Sequence, residues 1–305
     1  MLHSMEAILK AAKTGTAEAV SVAAAHDAEI LRAVIAARKE GIANSLLVGN
    51  EERIRELLDE LNEDASLYEI IPAGTDEESA ALAVKAVRDG RAKFLMKGSL
   101  NTSIFLRAVV AKETGLKTGR LLSHVMLYEI PAYPKLLAVT DGGMNPSPDL
   151  ESKADILENA ALLLQSLNYS RIYAACLCGS EVVSEKIPAT VDAQKLSDMN
   201  ERWAPYNMTV YGPVGFDLAI SKESCAHKGF SNVGAGEADI LLCPNYETGN
   251  STGKAFTYFA NAKSAGVVMG AKVPIILVSR SDTAETKLYS IALGKAAAAG
   301  TGGKA

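Results

Sequence analysis

Ser279 and Arg280 stand side by side after the apolar, largely β-branched run Val273-Pro274-Ile275-Ile276-Leu277-Val278 and just before a helical stretch from Thr283 to Leu293. Such a run reads as a buried strand, and Ser281 or Asp282 suits the N-cap of the helix that follows. A strand-to-helix junction leaves the first helical N–H groups unpaired and sets the positive end of the helix dipole beside them, so it favours an anion. The Arg280 guanidinium adds a permanent cation whose planar fork matches phosphate or carboxylate. These residue types in this order point to an anion site, with a serine hydroxyl at hand for chemistry.

A second junction repeats the arrangement. Lys97-Gly98-Ser99-Leu100-Asn101-Thr102-Ser103 carries a strand end into a helix that holds Arg107. Hydroxyls and free N–H groups with an arginine about one turn on again suit an anion; the plainer reading makes Thr102 a simple cap and Arg107 a surface residue. A third stretch, from Pro244 through Gly249, Asn250 and Gly253 to Lys254, is not a nucleotide-binding P-loop. That motif needs four residues between its first glycine and the Gly-Lys pair, then Ser or Thr. Here three residues separate Gly249 from Gly253, and Ala255 follows Lys254. The spacing instead predicts a flexible loop opening a helix from Gly253 to Ala265, with N–H groups, hydroxyls and a lysine able to hold a phosphorylated ligand. The Gly/Pro-rich loop Thr140 to Asp149, which contains Asn145, follows a strand and is placed to line a cleft. Asp217 opens a helical stretch to Cys225; it could contact a ligand, and the plainer reading is an early-helix aspartate stabilised by the dipole.

These junctions require a parallel sheet beneath them, and the alternation along the chain supplies one. Ala19 to Ala24, Leu46 to Gly49, Lys93 to Lys97 and Ile172 to Leu177 read as strands, separated by helices over Asp27 to Glu40, Glu51 to Leu61, Thr75 to Asp89 and Leu150 to Leu167. This is a βαβ rhythm. Leu121 to Ile130 and Leu136 to Val139 lie too close for a helix between them, which predicts an antiparallel hairpin around Pro131-Ala132-Tyr133-Pro134. The Gly/Ala-rich tail from Gly294 to Ala305 reads as frayed.

Composition narrows the function classes. At 305 residues and 48% hydrophobic, the chain exceeds the size one core usually serves, so two domains are expected. No apolar run approaches the roughly 20 residues that span a bilayer, and the start lacks a basic, apolar leader, so a cytoplasmic protein is expected. A net charge of -5 without a basic tract argues against nucleic acid as a partner. Four cysteines without framework spacing fit a reducing compartment, and four scattered histidines give no metal-ligand set.

Several segments carry a family resemblance through their order and spacing. They are Met96-Lys97-Gly98 with Thr102-Ser103 and Leu106-Arg107-Ala108-Val109, then Thr118-Gly119-Arg120-Leu121-Leu122-Ser123-His124-Val125 and Lys186-Ile187-Pro188-Ala189-Thr190-Val191-Asp192-Ala193. Ala226-His227-Lys228-Gly229, Ala238-Asp239-Ile240-Leu241-Leu242, Gly249-Asn250 and Ser279-Arg280-Ser281-Asp282 with Glu285-Thr286-Lys287-Leu288 continue it. Over nearly its whole length the chain resembles the phosphate acetyl/butyryltransferase family, nearer the butyryl branch. The resemblance implies reversible acyl transfer between coenzyme A and inorganic phosphate, with coenzyme A as a substrate and neither a metal nor a bound cofactor nor a covalent enzyme intermediate required. It also implies a two-domain α/β/α fold of the isocitrate/isopropylmalate dehydrogenase-like kind with an interdomain cleft, and a homodimer or larger homo-oligomer without a membrane partner. The first domain is expected over residues 1–118 plus 269–305 and the second over 119–268.

By position, the resemblance implies an active-site role for Ser279 and Arg280 and phosphate or acyl-phosphate binding by Arg107 and Arg280, with Thr102 and Ser103 beside them. Gly249, Asn250, Lys254 and Asn145 are the candidates for coenzyme A. The family's acetyltransferases place a proposed aspartate base where this chain has Thr286. Glu285 and Asp282 are the nearby carboxylates, and their three-residue spacing also fits a helix cap. Two other readings stay open: a metal- and nicotinamide-dependent hydroxyacid dehydrogenase on the same fold, and a non-catalytic sensor of coenzyme A or acyl phosphate.

Overall fold

The computed structural model of the chain describes residues 1–279 and 282–301. It begins with α1 (Met5–Ala12), β1 (Glu18–Ala23), α2 (Ala28–Lys39), β2 (Ala43–Gly49), α3 (Glu51–Glu60), β3 (Glu69–Pro72), α4 (Asp76–Arg88), β4 (Phe94–Lys97) and α5 (Thr102–Val109). Local chemistry sets these limits. Asp27, Asn50 and Thr75 each accept a hydrogen bond from the backbone N–H three residues on, satisfying a donor that a helix start leaves free. Gly41 and Gly90 follow α2 and α4 at φ 70° and 76°, where a side chain would be strained.

Next come β5 (Ser123–Glu129) and β6 (Leu137–Thr140), antiparallel with Met126 opposite Val139. They lead to α6 (Leu150–Ser166), β7 (Ile172–Leu177), α7 (Pro188–Asp198), α8 (Asn200–Trp203), β8 (Met208–Val214), α9 (Phe216–Ile220), α10 (Lys222–Lys228) and β9 (Ile240–Leu242). The chain finishes with α11 (Tyr246–Phe259), β10 (Lys263–Met269), β11 (Ile275–Ile276) and α12 (Ala284–Thr301).

The chain forms two compact units. The first is Met5–Arg120 with Ala265–Ala305, and the second is Met1–Ser4 with Leu121–Ser264. In the first, the strands lie in the order β3, β2, β1, β4, β11, β10. β3 to β11 are parallel, and β10 runs antiparallel to β11. All four residues of β4 are buried, including its last, Lys97, as expected for a parallel strand covered on both faces. In the second unit the order is β5, β6, β9, β7, β8, with β6 to β8 parallel. Its core includes Leu137, Val139, Leu177, Val214 and Leu241.

Several expectations are corrected by packing. The apolar run after Val273 is a strand only at Ile275–Ile276, although Val278 stays buried. The stretch around Gly249 and Gly253 is not a loop: α11 starts at Tyr246, capped by Asn245, and ends at Phe259. Its glycines serve close packing, since a Cβ on Gly249 would lie 2.8 Å from the carbonyl oxygen of Asp141 and one on Gly253 2.2 Å from the Tyr128 hydroxyl. Gly212 and Pro213 belong to β8, and the helix expected over Asp217 to Cys225 is broken at Ser221, whose hydroxyl caps α10. The Gly/Ala-rich tail is helical through Thr301 because α12 packs on α1 and α2. Gly294 fits there against Phe94 and Ile276. Residues 302–305 lie outside the described residues.

Candidate active site

In the first unit, the registers Ala23 opposite Lys97 and Ile276 opposite Met96 bring the carboxyl ends of β1, β4 and β11 to one edge of the sheet. The turn after β4 is held tightly. Gly98 and Ser99 donate their N–H groups to the carbonyls of Ala23 and Ala24 at 2.8 and 2.9 Å. A Cβ on Gly98 would lie 2.2 Å from the Ala24 oxygen, so no other residue fits without moving backbone. Lys97, 4% exposed, reaches back with its Nζ to the carbonyls of Gly98 (3.1 Å) and Leu100 (3.0 Å). Asn101, not Thr102, caps α5: its Oδ1 accepts from the N–H and the hydroxyl of Ser103, both at 3.1 Å. The amide oxygen one residue earlier is the one placed to reach the second helical N–H, and Thr102 becomes the first helical residue. Ser103 and Arg107, four residues apart on α5, share an exposed face. The Arg107 side chain makes no hydrogen bond or ion pair with another described residue.

Beside this turn, Ser279 is exposed and its N–H donates to Asp282 Oδ2 at 2.7 Å, while the Asp282 N–H returns to the Ser279 carbonyl at 3.2 Å. Arg280 and Ser281 lie outside the described residues. The cap of α12 is Thr283 rather than Asp282: its Oγ1 accepts from the Thr286 N–H at 3.2 Å, and the expected alternative, Ser281, lies outside the described residues. Asp282 faces back into the turn, so the next hydroxyl takes the cap. The Ala284 N–H donates to Glu29 Oε2 at 3.2 Å, a carboxylate brought from α2 that the sequence pattern did not single out. Glu285 is exposed and accepts from the Tyr289 hydroxyl at 2.9 Å. Ser279 and Asp282 thus follow the carboxyl end of β11, the parallel neighbour of β4, whose own carboxyl end leads to α5 with Thr102, Ser103 and Arg107.

The remaining candidates gather in the second unit, at the carboxyl ends of β6 and β9. Their centre is Asp141, 2% exposed, which the sequence offered only as part of a polar loop. Its Oδ1 accepts from the N–H groups of Gly143 (2.7 Å) and Met144 (2.8 Å), and its Oδ2 from the His124 N–H (3.1 Å) and Asn145 Nδ2 (2.6 Å). An aspartate two residues before a glycine is a turn former, which is the one local signal that could have marked it. Asn145 Nδ2 also donates to the Leu122 carbonyl at 2.9 Å, and Asn250 Nδ2 to the Gly142 carbonyl at 3.1 Å. Gly249 lies against the same backbone. Lys254, one turn further along α11, is exposed. Asp217 pairs with Lys228 at 3.0 Å, a surface ion pair.

Burial pushes the Cys178 thiol up to about 11 and that of Cys243 to about 12, and raises Cys176 and Cys225 as well. The cysteines therefore stay protonated near neutral pH and are poor nucleophiles. Among the described residues, no three His, Cys, Asp or Glu side chains are grouped to hold a metal ion, and no helix is long and apolar enough to cross a membrane.

A family model described as phosphate acetyl/butaryl transferase matches residues 73–295. A phosphate butyryltransferase of Clostridium acetobutylicum is 39% identical over 293 residues, covering 96% of this chain and 97% of that one. A phosphate acetyltransferase of Thermotoga maritima is 38% identical over 279 residues, covering 92% and 95%. Among solved structures, a branched-chain phosphotransacylase from Enterococcus faecalis superposes with a TM-score of 0.83 at 32% identity, over 92% of this chain and 99% of that one. A 4-hydroxythreonine-4-phosphate dehydrogenase from Klebsiella pneumoniae, at TM-score 0.54 and 13% identity over 93% and 100%, shares the dehydrogenase-like fold alone.

Proposed function

The chain belongs to the phosphate acetyl/butyryl transferase family, and from that premise we propose that it transfers a short-chain acyl group reversibly between coenzyme A and inorganic phosphate. The observation that carries this reading is the 39% identity to a phosphate butyryltransferase along 96% of the chain. In the direction that forms the thioester, the coenzyme A thiolate attacks the carbonyl of an acyl phosphate. The C–S bond forms, the C–O bond to phosphate breaks, and phosphate leaves with that electron pair. The protein must hold the phosphate, orient the thiol and stabilise negative charge on the carbonyl oxygen.

Arg107 suits the first task because no other described residue holds its guanidinium, and it stands one turn from the α5 start with Thr102 and Ser103. Arg280 is assigned to the same phosphate by its position in the family pattern. The Ser279 hydroxyl is assigned to the developing oxyanion or thiolate. Asp282 is tied into the turn by the Ser279 N–H, while Glu285 is exposed and neighbours the family's base position at Thr286, so we favour Glu285 as the group that takes the thiol proton. A thiol near pKa 8.5 needs only modest help. Asn145, Gly249, Asn250 and Lys254 are assigned to coenzyme A. We further place the protein in the cytoplasm as a homodimer or larger homo-oligomer, which light scattering of the purified protein checks.

The test is phosphate-dependent release of free thiol, or loss of thioester absorbance, with acetyl-, propionyl- and butyryl-coenzyme A. Butyryl is expected to give the highest kcat/KM. The 38% identity to an acetyltransferase keeps acetyl transfer as the second reading, and a clear preference for acetyl would select it. No release with any of these thioesters would sink the assignment.

A further inference from the structure

The second unit's candidate site is assembled on Asp141, a buried carboxylate outside the groups that meet the reacting atoms. A carboxylate this deeply buried is ordinarily matched by a cation. Among the described residues none pairs with it, and its charge is met instead by three backbone N–H groups and one carboxamide. Donors of that kind to a full negative charge are the strong class of hydrogen bond and fix geometry closely. The consequence falls on Asn145. Its amide has two hydrogens, one donated to Asp141 Oδ2 at 2.6 Å and the other to the Leu122 carbonyl at 2.9 Å. Its orientation is therefore set, and its Oδ1, which has no partner among the described residues, remains as an acceptor. The same loop backbone meets α11, where Asn250 donates to Gly142 at 3.1 Å.

We propose that Asp141 is a positioning residue for coenzyme A: it locks Asn145 so that the free Oδ1 addresses an N–H donor of the cofactor-like substrate, such as its amide or amino groups. This rests on the reading that coenzyme A binds at this edge. A neutral carboxamide at 141 would have nearly the same shape but only one acceptor atom. Its NH2 would face the donors of His124 and Asn145, and Asn145 would have to turn, either losing Leu122 or presenting hydrogens where it now presents an oxygen.

The experiment compares the full-length wild type with Asp141→Asn, Asn145→Leu and the double variant, using steady-state kinetics with each substrate varied and calorimetric titration with free coenzyme A. Asp141→Asn is expected to raise KM and the dissociation constant for coenzyme A roughly 10- to 100-fold, while KM for phosphate stays within about 2-fold. Asn145→Leu is expected to do the same, and the double variant to lose little more, because both changes remove one connected arrangement. A merely structural aspartate would lower the melting temperature and the active fraction without this split. Wild-type affinity for coenzyme A in a folded Asp141→Asn, equal rises for both substrates, or fully additive losses would overturn the proposal. If Asp141→Asn does not fold, unchanged coenzyme A affinity in Asn145→Leu overturns it by itself. A wild type without transfer activity would count against the proposed reaction, and the calorimetry would still decide the role of Asp141.

Discussion

Arg107 in the first unit lies on the helix that follows a strand end and Asn145 in the second in the loop that follows one, and their surroundings differ. The Arg107 guanidinium is exposed and bonded to no other described residue, on the same helix face as the Ser103 hydroxyl. Both amide hydrogens of Asn145 are already donated, to a buried carboxylate and a backbone carbonyl. Arg107 keeps its charge open, and Asn145 commits its hydrogens to internal geometry. An open cation gains its partner only when an anion arrives, so its loss is felt in binding. A committed network is felt in shape.

The largest expected effect lies at the first edge. Glu285→Gln keeps size and removes the base, so kcat should fall about 10²- to 10⁴-fold and recover partly at higher pH as the thiol ionises unaided. Full activity in that variant at neutral pH would leave Glu285 a structural residue. Asp282→Asn should instead loosen the Ser279 turn, at a cost of about 0.5 to 2 kcal/mol in denaturant unfolding, with a smaller loss in kcat. A larger kcat loss there than in Glu285→Gln would exchange the two roles.

Backbone fit comes next and compares the two edges directly. Gly98→Ala puts a methyl 2.2 Å from the Ala24 carbonyl oxygen, where only backbone can yield, and should destabilise by about 3 kcal/mol or more. Gly249→Ala meets backbone at 2.8 Å and should cost about 1 to 3 kcal/mol. Melting curves giving the reverse order would show that the second edge is the less yielding one. Arg107→Ala should weaken phosphate or acyl-phosphate use roughly 10- to 100-fold. Because its side chain is exposed, stability should change by less than about 0.5 kcal/mol. Wild-type kinetics in a folded Arg107→Ala would remove it from the site.

The smallest effect is one of pH, and again the units differ in sign. In the first unit, burial alone would raise Glu63, but Lys39, Arg38 and Tyr68 together hold its carboxyl down to about 2. A carboxylate lowered on folding adds stability above its unfolded pKa, and that stability is lost as pH falls from about 5 towards 2. In the second unit, burial raises Asp239 despite Lys135 beside it. Its contribution runs the other way, with stability gained as pH falls through its folded pKa. Melting temperature followed from pH 7 to pH 2 should therefore fall less steeply in Glu63→Gln than in the wild type. An unchanged profile would mean that Glu63 is not held low.

Residues near one another in sequence determined much of this protein before any packing is considered. Asp27, Asn50, Thr75 and Asp149 cap helices because each lies within reach of an N–H three residues on. The strand Ile172–Leu177 and the hairpin of β5 and β6 follow from apolar runs and the short connection between them. The order of segments also determined the family. Tertiary structure decided what local pattern cannot express. Gly249 and Gly253 look like the makings of a loop, yet they lie within a helix because α11 must approach the Asp141–Gly142 backbone and Tyr128 closely. The Ala-rich tail looks frayed alone but is held as helix by α1 and α2. Asp141 and Glu29 reach their partners from 17 and 255 residues away, at the His124 N–H and the Ala284 N–H. Helix caps and strand patterns are short-range, fixed by backbone geometry over a few residues; the convergence of a site depends on strand order and register, which only the folded sheet specifies.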